Sequence, residues 1–387
     1  MRAQQKVLLP LALAGVVLAG WLATTSGDPE TAVRAEPVAE APAAVNRSTP
    51  PDVGVPLDQP HGGAYAARGT DGAGHSYPGR CIRNPGEEPV LATIRLDHRP
   101  VDLALDARDS ALYTSSERGQ TVSVMDTRSR TLVSAIDLRD RPYGLLLDEH
   151  RGALYATLAG PRVPGGAIAV VDTASRELVR SIRFPDARWP TDGALDPGTG
   201  LLFVVNSGDD SVAVFDSVSG DRVRRIPVDV DPIFVDVVSE SGLVLVSGAK
   251  GLAAIDIGTL EVRNILRIPA GALAIDHEDG GVYVANQGFG TLTVVDLAAF
   301  DVVGRVPVGG RGPFDVAFDS AAGLAYVTGA ADGNLVIVDM ASLRIVERIG
   351  GADGSHAWYG AVAVDHAKNC VYVADLERDA IAVIARR

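Results

Sequence analysis

The sequence predicts an all-β protein, a seven-bladed β-propeller, from three observations. A short β pattern recurs seven times between Gly86 and the C-terminus, at intervals of 38 to 48 residues. Each repeat holds four short apolar runs bounded by turn residues, and no helical periodicity competes with them. The last repeat stops one run early, while an extra run precedes the first repeat. Four-stranded units of about 40 residues that repeat in this way are the signature of propeller blades.

Two segments before the repeats are not predicted to join the ring. Residues 1–25 place Arg2 and Lys6 ahead of an uncharged apolar run, which is typical of a secretory signal peptide and, at this length, also of an uncleaved membrane anchor. Residues 26–85 are rich in proline, alanine and glycine and predict a disordered spacer. Residues 86–387 form the propeller. We therefore expect an extracytoplasmic protein, either secreted or anchored to the cell membrane by its N-terminal segment.

An apolar anchor in the second run sets the register of the repeats. These anchors are Tyr113, Tyr155, Phe203, Leu245, Tyr283, Tyr326 and Tyr372. An aspartate stands seven residues before the anchor in six repeats, at Asp106, Asp148, Asp196, Asp276, Asp319 and Asp365. A second set of aspartates ends the third run, at Asp126, Asp172, Asp216, Asp256, Asp296 and Asp339. Because carboxylates at such positions accept backbone N–H groups in turns, we predict a structural role for this second set.

The two ends of the repeat region predict how the ring closes. The run VLATIRL (residues 90–96) resembles the fourth run that the last repeat lacks. It should complete the last blade and so remove the exposed sheet edges. Cys81 lies just before this run and Cys370 lies in the last repeat, so closure brings them together, and in an exported protein they can pair. We predict a Cys81–Cys370 disulfide; the alternative is a buried Cys370 and an unpaired Cys81.

The repeats resemble those of a known family. The stretches GVYVANQGFGTLTVVDL and LAYVTGAADGNLVIVDM are similar to the YVTN-type (YncE-like) β-propeller repeat, and the likeness extends from Val90 to the C-terminus. It implies a seven-bladed ring, often secreted or periplasmic, and no particular reaction. Related propellers include streptogramin lyases, which carry catalytic and metal-binding histidines in loops of one face, and the heavy subunits of quinoprotein amine dehydrogenases. No loop of this sequence matches the lyase histidine motif.

One face of the predicted ring carries the candidate ligand-binding residues. The loops that enter each first strand and those between second and third strands share this side, around the channel mouth, and ligand sites on such scaffolds are loop-borne. We call it the loop face. The candidates are Arg99, Arg141, Arg188, Trp189, Arg311, His356, Trp358 and Tyr359. The arginines can donate hydrogen bonds to an anionic group that lies between aromatic side chains. Alternatively, each arginine forms an ion pair with an aspartate of the same or the next blade and serves only to keep the loop face polar and hydrated.

Three aspartates follow a proline by two residues in the first run: Asp102, Asp192 and Asp315. Carboxylates in a ring are weak candidates for holding a hard cation such as Ca²⁺, but the neighbouring arginines would repel it. We therefore assign no metal and no cofactor. The sequence contains no CxxC, HExxH, GxSxG or phosphate-binding glycine loop, and no catalytic residue is assigned.

The net charge of the protein disfavours some classes of binding partner. The formal net charge is −14, and all of the excess acid lies beyond residue 85, which disfavours nucleic acid or an anionic membrane surface as a partner. The sequence favours an exported, non-catalytic binding module whose loop face takes a protein, a glycan or a small anionic ligand. Two alternatives remain open. One is a lyase or hydrolase that uses His356 or His98 as a base, and the other is an accessory subunit of an extracytoplasmic redox complex.

Overall fold

The predicted all-β ring is confirmed in the computed structural model. It describes residues 80–84, 86–116, 119–160, 163–286, 288–309, 312–329, 334–350 and 359–386. These residues form seven four-stranded antiparallel sheets, with one short 3₁₀ turn at Ser239–Ser241. The signal or anchor expected at residues 1–25 and most of the spacer lie outside the described residues. Within the described part, no helix has the length and apolar character needed to cross a membrane.

Each sheet is one blade, and its strands follow one another in sequence. Blade 1 contains β2 (Pro100–Asp106), β3 (Ala111–Ser116), β4 (Thr121–Asp126) and β5 (Thr131–Asp137). Blade 2 contains β6 (Pro142–Asp148), β7 (Ala153–Gly160), β8 (Val163–Asp172) and β9 (Glu177–Phe184). Blade 3 contains β10 (Pro190–Asp196), β11 (Leu201–Asn206), β12 (Ser211–Asp216) and β13 (Arg222–Pro227).

The remaining blades repeat the arrangement. Blade 4 contains β14 (Pro232–Val238), β15 (Leu243–Gly248), β16 (Gly251–Asp256) and β17 (Glu261–Leu266). Blade 5 contains β18 (Leu273–Ile275), β19 (Gly281–Asn286), β20 (Thr291–Asp296) and β21 (Asp301–Pro307). Blade 6 contains β22 (Pro313–Asp319), β23 (Leu324–Gly329), β24 (Asn334–Asp339) and β25 (Arg344–Ile349). Blade 7 contains β26 (Tyr359–Asp365), β27 (Cys370–Asp375), β28 (Ala380–Ala385) and the N-terminal strand β1 (Val90–Arg95).

Burial falls from the middle of each blade to its rim. All six residues of β3 are buried, whereas β5, the fourth strand of the same blade, is mostly exposed. The apolar clusters contain residues of neighbouring blades, so the hydrophobic core lies between blades. The first strands contact one another in order around the ring, from β2 to β26 and back to β2. They form the wall of the central channel.

The aspartates of the register serve the turns on the face opposite the loop face. The predicted structural role of the set that ends the third strand is confirmed, because each accepts a backbone N–H two or three residues further on. The set that ends the first strand does the same. We call this side the turn face.

The ring is closed by its N-terminal strand, as the sequence predicts. Strand β1 pairs antiparallel with β28 and becomes the outer strand of blade 7. The N–H of Cys81 donates to the carbonyl of Lys368 over 2.8 Å. Cys81 and Cys370 are joined by a disulfide, with 5.1 Å between their Cα atoms and a separation of 289 positions along the chain. Closing so long a loop stabilises the fold by about 6 kcal/mol in the chain-entropy treatment.

A bulge interrupts six of the seven first strands at their loop-face end. The pairing register shifts between Pro100 and Leu103, Pro142 and Leu145, Pro190 and Asp192, Pro232 and Phe234, Pro313 and Asp315, and Tyr359 and Val362. In blade 5 the first strand, β18, has only three residues and pairs without a shift. A bulge leaves a backbone group without its ladder partner, so the displaced N–H groups need acceptors elsewhere.

Candidate functional site

Three carboxylates on the channel wall accept the N–H groups that the bulges displace. Asp102 shows the pattern: its Oδ1 accepts the N–H of Leu103 over 2.8 Å, and its Oδ2 accepts the N–H of Leu145 in blade 2 over 2.7 Å. The other two donor pairs are Gly193 (2.8 Å) and Val235 (2.9 Å) on Asp192, and Val316 (2.8 Å) and Val362 (2.9 Å) on Asp315. We call these contacts the carboxylate bridges. Each one joins two neighbouring blades.

The carboxylate bridges explain why the aspartate recurs in only three repeats. They join blade 1 to 2, blade 3 to 4 and blade 6 to 7, so the second blade of each pair needs no carboxylate of its own. The equivalent residues in those second blades are Gly144, Phe234 and Ala361. At Gly144 a side chain would not fit, because an added Cβ would lie 2.6 Å from the Thr191 carbonyl oxygen and 3.0 Å from Asp192 Oδ1.

Side-chain hydroxyls add neutral contacts between blades. Each donates from the second strand of one blade to a carbonyl at the first strand of the next: Ser115 to Tyr143 (2.6 Å), Thr157 to Thr191 (3.2 Å), Ser247 to Gly271 (2.5 Å) and Thr328 to Gly360 (2.8 Å). In blade 5 the matching residue is Ala285, which has no hydroxyl. Blade 5 therefore offers blade 6 neither a carboxylate bridge nor a hydroxyl contact of this type among the described residues.

The bridging carboxyls hold protons more tightly than ordinary aspartates. Burial raises the pKa of Asp102 to about 6 and that of Asp315 to about 7, although their N–H donors act in the opposite direction. Burial also raises the pKa of Asp192 well above its usual value, and the charge of Asp102 adds to the effect. A fourth channel carboxyl, Asp236, has its pKa raised by burial to about 6.

The carboxylate bridges involve the three aspartates that were weak candidates for holding a hard cation. The oxygens of Asp102, Asp192 and Asp315 are directed at backbone N–H groups of two blades each, so they do not converge on one point as the ligands of Ca²⁺ do. Over the part of the chain that the structure describes, no group of three or more histidine, cysteine or acidic side chains is arranged to hold a metal ion.

Above the bridges, three candidate residues occupy one backbone position on consecutive blades. Arg99, Arg141 and Trp189 each immediately precede the proline that begins a first strand. The carbonyl of Arg141 accepts the N–H of Ala159 over 3.2 Å, and the carbonyl of Trp189 accepts the N–H of Ser207 over 3.1 Å. We call Arg99, Arg141 and Trp189 the mouth arc. Because the first strands of blades 1, 2 and 3 contact one another in order, the arc is continuous.

Not all of the candidate arginines form ion pairs with aspartates. Within the described ranges, Arg141 and the exposed Arg188 make no ion pair and no side-chain hydrogen bond. Asp102 and Asp192, which could have neutralised them, are taken by backbone donors. The interpretation that each arginine pairs with an aspartate therefore does not hold for these two. Arg99 is half-buried and has an interaction partner.

Trp189 combines exposure with a strained backbone. Its side chain is 39% exposed, and its φ of 59° lies in the left-handed region, just before Pro190. That region costs a residue with a Cβ about 1–2 kcal/mol. Two hydrogen bonds hold the loop in place, from the N–H of Ser207 to Trp189 and from the N–H of Gly208 to Arg188. Asp231, directly before Pro232, has a similar left-handed φ of 49° in blade 4, so this conformation belongs to the shape of the entry loop.

The next position outward shows a residue that the sequence analysis missed. Asp140 is 2% exposed, and its Oδ1 accepts the N–H of Arg141 over 2.8 Å. It lies two residues before the proline of blade 2, as Arg188 does in blade 3, so Arg188 and Arg141 do not hold equivalent positions. His98 is the counterpart in blade 1; it is 7% exposed, with Nδ1 2.6 Å from Asp97 Oδ1. His98 thus lies beneath the surface rather than open to a substrate.

Several sequence candidates cannot be placed. Arg311, His356 and Trp358 lie outside the described residues. Tyr359 begins β26, but its side chain also lies outside the described part. The site as described therefore consists of the mouth arc with Arg188 and Asp140.

Two small cavities lie away from the mouth arc. One is in blade 6, lined by Val308, Pro313 and Arg348 among others, and one lies between blades 2 and 3, lined by Gly144, Tyr155 and Gly193 among others. Each has room for about one water molecule. Neither encloses a ligand.

Comparison with known proteins supports the architecture. Neither a family model nor a curated protein matches the chain. The solved structure "Kuenenia stuttgartiensis Hydrazine Synthase" is similar to it, with a TM-score of 0.64 and 17% sequence identity, over 79% of this chain and 99% of that one. What they share is the fold. The resemblance to the YVTN-type repeat family stays a prediction.

Proposed function

We propose that the protein is an exported, non-catalytic binding module that takes an anionic ligand at the mouth arc. The observation that carries this is that, among the described residues, the guanidinium groups of Arg141 and Arg188 have no ion-pair or hydrogen-bond partner, and that Arg188 directly precedes the exposed Trp189 in the chain. An arginine without a protein partner offers two parallel N–H donors to a carboxylate, sulfate or phosphate. The backbone of Arg141 is held at both sides, by Asp140 and by Ala159, so the loop is positioned before a ligand arrives.

Export is supported by the buried disulfide. Cys81 and Cys370 are both fully buried and bonded to each other. Structural disulfides persist in oxidising compartments and are rare in the cytosol. The charged and then apolar sequence of residues 1–25 is consistent with the same location. Fractionation of cells that express the full chain should recover it outside the cytoplasm with both thiols blocked; a reduced cytoplasmic protein would contradict export.

A ligand screen with matched arginine variants tests the binding site. Citrate, sulfate and inorganic phosphate are titrated into the full chain, into Arg141→Ala and into Arg267→Ala. Arg267 is a suitable control because it also follows a fourth strand on the loop face but pairs with Asp229 over 2.7 Å. We expect at least one anion to raise the melting temperature of wild type and Arg267→Ala, and at least a tenfold loss of its affinity in Arg141→Ala. Anion binding that is as tight in Arg141→Ala as in wild type would show that the site lies elsewhere.

A further inference from the structure

We infer that the anionic ligand of the mouth arc is an acidic polysaccharide, a chain of uronate sugars. This rests on the proposed function and names its ligand class. Three features carry it: Arg99, Arg141 and Trp189 hold the same backbone position on three consecutive blades, Arg188 directly precedes Trp189 in the chain, and both Arg188 and Trp189 are exposed.

Repetition favours a ligand that itself repeats. Arg99, Arg141 and Trp189 follow one another around the mouth because blades 1, 2 and 3 present the same loop position in turn. A polymer with one carboxylate per unit can place successive units over successive blades. Several weak contacts then act together, and their combined affinity exceeds that of any one of them.

The side-chain chemistry separates a uronate chain from other polyanions. The C–H face of a pyranose ring stacks on the face of an indole, and the carboxylate at its C6 position fits the two parallel donors of a guanidinium. Trp189 offers its exposed ring next to Arg188, with Arg141 on the neighbouring blade. A polyglutamate chain supplies the carboxylates but no rigid apolar face for the tryptophan.

The shape and charge of the surface agree with an extended ligand. Small-molecule sites enclose most of their ligand in cavities of about 300–1,000 Å³, whereas the mouth arc lies on open loops. The net charge of −14 repels polyanions, so we expect an acidic chain to be held at Arg141 and Arg188, whose guanidinium groups have no partner among the described residues. Binding should therefore weaken steeply as the salt concentration rises.

Calorimetry with three polymers tests the inference on the full chain. The probes are oligogalacturonate, neutral oligogalactan of similar length, and polyglutamate. We expect wild type to bind oligogalacturonate at least tenfold more tightly than either of the others. Arg141→Ala and Trp189→Ala should each weaken it at least tenfold, Trp189→Phe should keep most of the binding, and Arg267→Ala should leave it unchanged. Circular dichroism confirms that each variant is folded.

The other outcomes of this experiment distinguish failure of the inference from failure of the proposed function. Equal binding of galactan and oligogalacturonate overturns the role of the carboxylate. Tighter binding of polyglutamate overturns the sugar class but leaves an anion site at Arg141 in place. If none of the three polymers binds while a small anion still depends on Arg141, the inference fails and the proposed function stands. If the small anions also fail to bind, both fail.

Discussion

Blades 3 and 4 are joined differently from blades 4 and 5. Between blades 3 and 4, Asp192 accepts the N–H of Val235, and the hydroxyl of Thr191 donates to the Ile233 carbonyl over 2.9 Å. Between blades 4 and 5 the corresponding contact is one hydroxyl, Ser247, and β18 is three residues long. A carboxylate that serves two blades divides a ring into pairs. Seven blades allow at most three pairs, and blade 5 is the one left over.

The largest expected effect is a change in the free energy of unfolding with pH, which arises from the carboxylate bridges. Burial raises the folded-state pKa of Asp102, Asp192 and Asp315, so between about pH 4 and 7 the native state binds more protons than the unfolded chain. Stability from these groups is therefore complete below about pH 4 and is lost as the pH rises through 6 to 7. Urea unfolding should give a free energy higher at pH 5 than at pH 8 by on the order of 2 kcal/mol for each of Asp102 and Asp315, with a contribution of the same sign from Asp192.

The aspartates of the turn face serve as an internal control for that experiment. Hydrogen bonds from the N–H of Ser129 hold the pKa of Asp126 below its usual value, and Ser219 does the same for Asp216. The stability contributed by these groups is lost only as the pH falls below about 4. Asp315→Asn, which cannot titrate, should flatten the slope between pH 5 and 8. A protein that is equally stable or more stable at pH 8 would refute the assignment.

Removing one carboxylate bridge should make the junction between blades 3 and 4 resemble the junction between blades 4 and 5. Asp192→Ala leaves the N–H groups of Gly193 and Val235 without acceptors, which we expect to cost about 2 kcal/mol at pH 5. Asp126→Ala is the control, and it should lose less than half as much because water reaches the turn N–H groups that it frees. Hydrogen exchange should then show β14 amides opening about as readily as those of β18. Unchanged protection of β14 would mean that the bridge does not hold the blades together.

The smallest expected effects come from two glycines of neighbouring first strands. Gly144→Ala puts a methyl group against the Thr191 carbonyl of the next blade, and we expect a loss of about 1–2 kcal/mol. Gly193→Ala places its Cβ 3.5 Å from the Phe203 carbonyl oxygen and 3.8 Å from Val204, which is ordinary contact. This change should add about 0.5 kcal/mol by restricting the unfolded chain. Effects of the same sign in both variants would show that the spacing at Gly144 does not depend on blade 3.

The ring could be predicted from the sequence because its signals are local. Alternating apolar runs, turn aspartates and the displaced N-terminal run each lie within one repeat or at one end of the chain. The partners of Asp102 could not be predicted, because one of them, Leu145, lies in another repeat and is available only where a bulge displaces it. The signal was nevertheless present: the position two residues after the proline reads Asp102, Gly144, Asp192, Phe234, an alternation typical of paired units.

The candidate site was predicted only in outline. Residue type alone placed Arg188 beside Arg141 among the candidates, although the loop hydrogen bonds match Arg141 with Trp189, and the close approaches of Gly160 to Asp140 and of Gly208 to Arg188 match those two residues. Loop positions cannot be aligned by residue type when neighbouring loops differ in length. Whether an arginine is paired also depends on what its acidic neighbours already bind, and that is decided by the packing of the blades.

The link between Cys81 and Cys370 joins the beginning of the ring to its end. The propeller is therefore a covalent circle as well as a closed set of sheets. A single cut by a protease in any loop between the two cysteines would leave one connected molecule, with all seven sheets still tethered in order. For the same reason new chain ends could be opened in one of those loops, and the blades would keep their sequence around the channel.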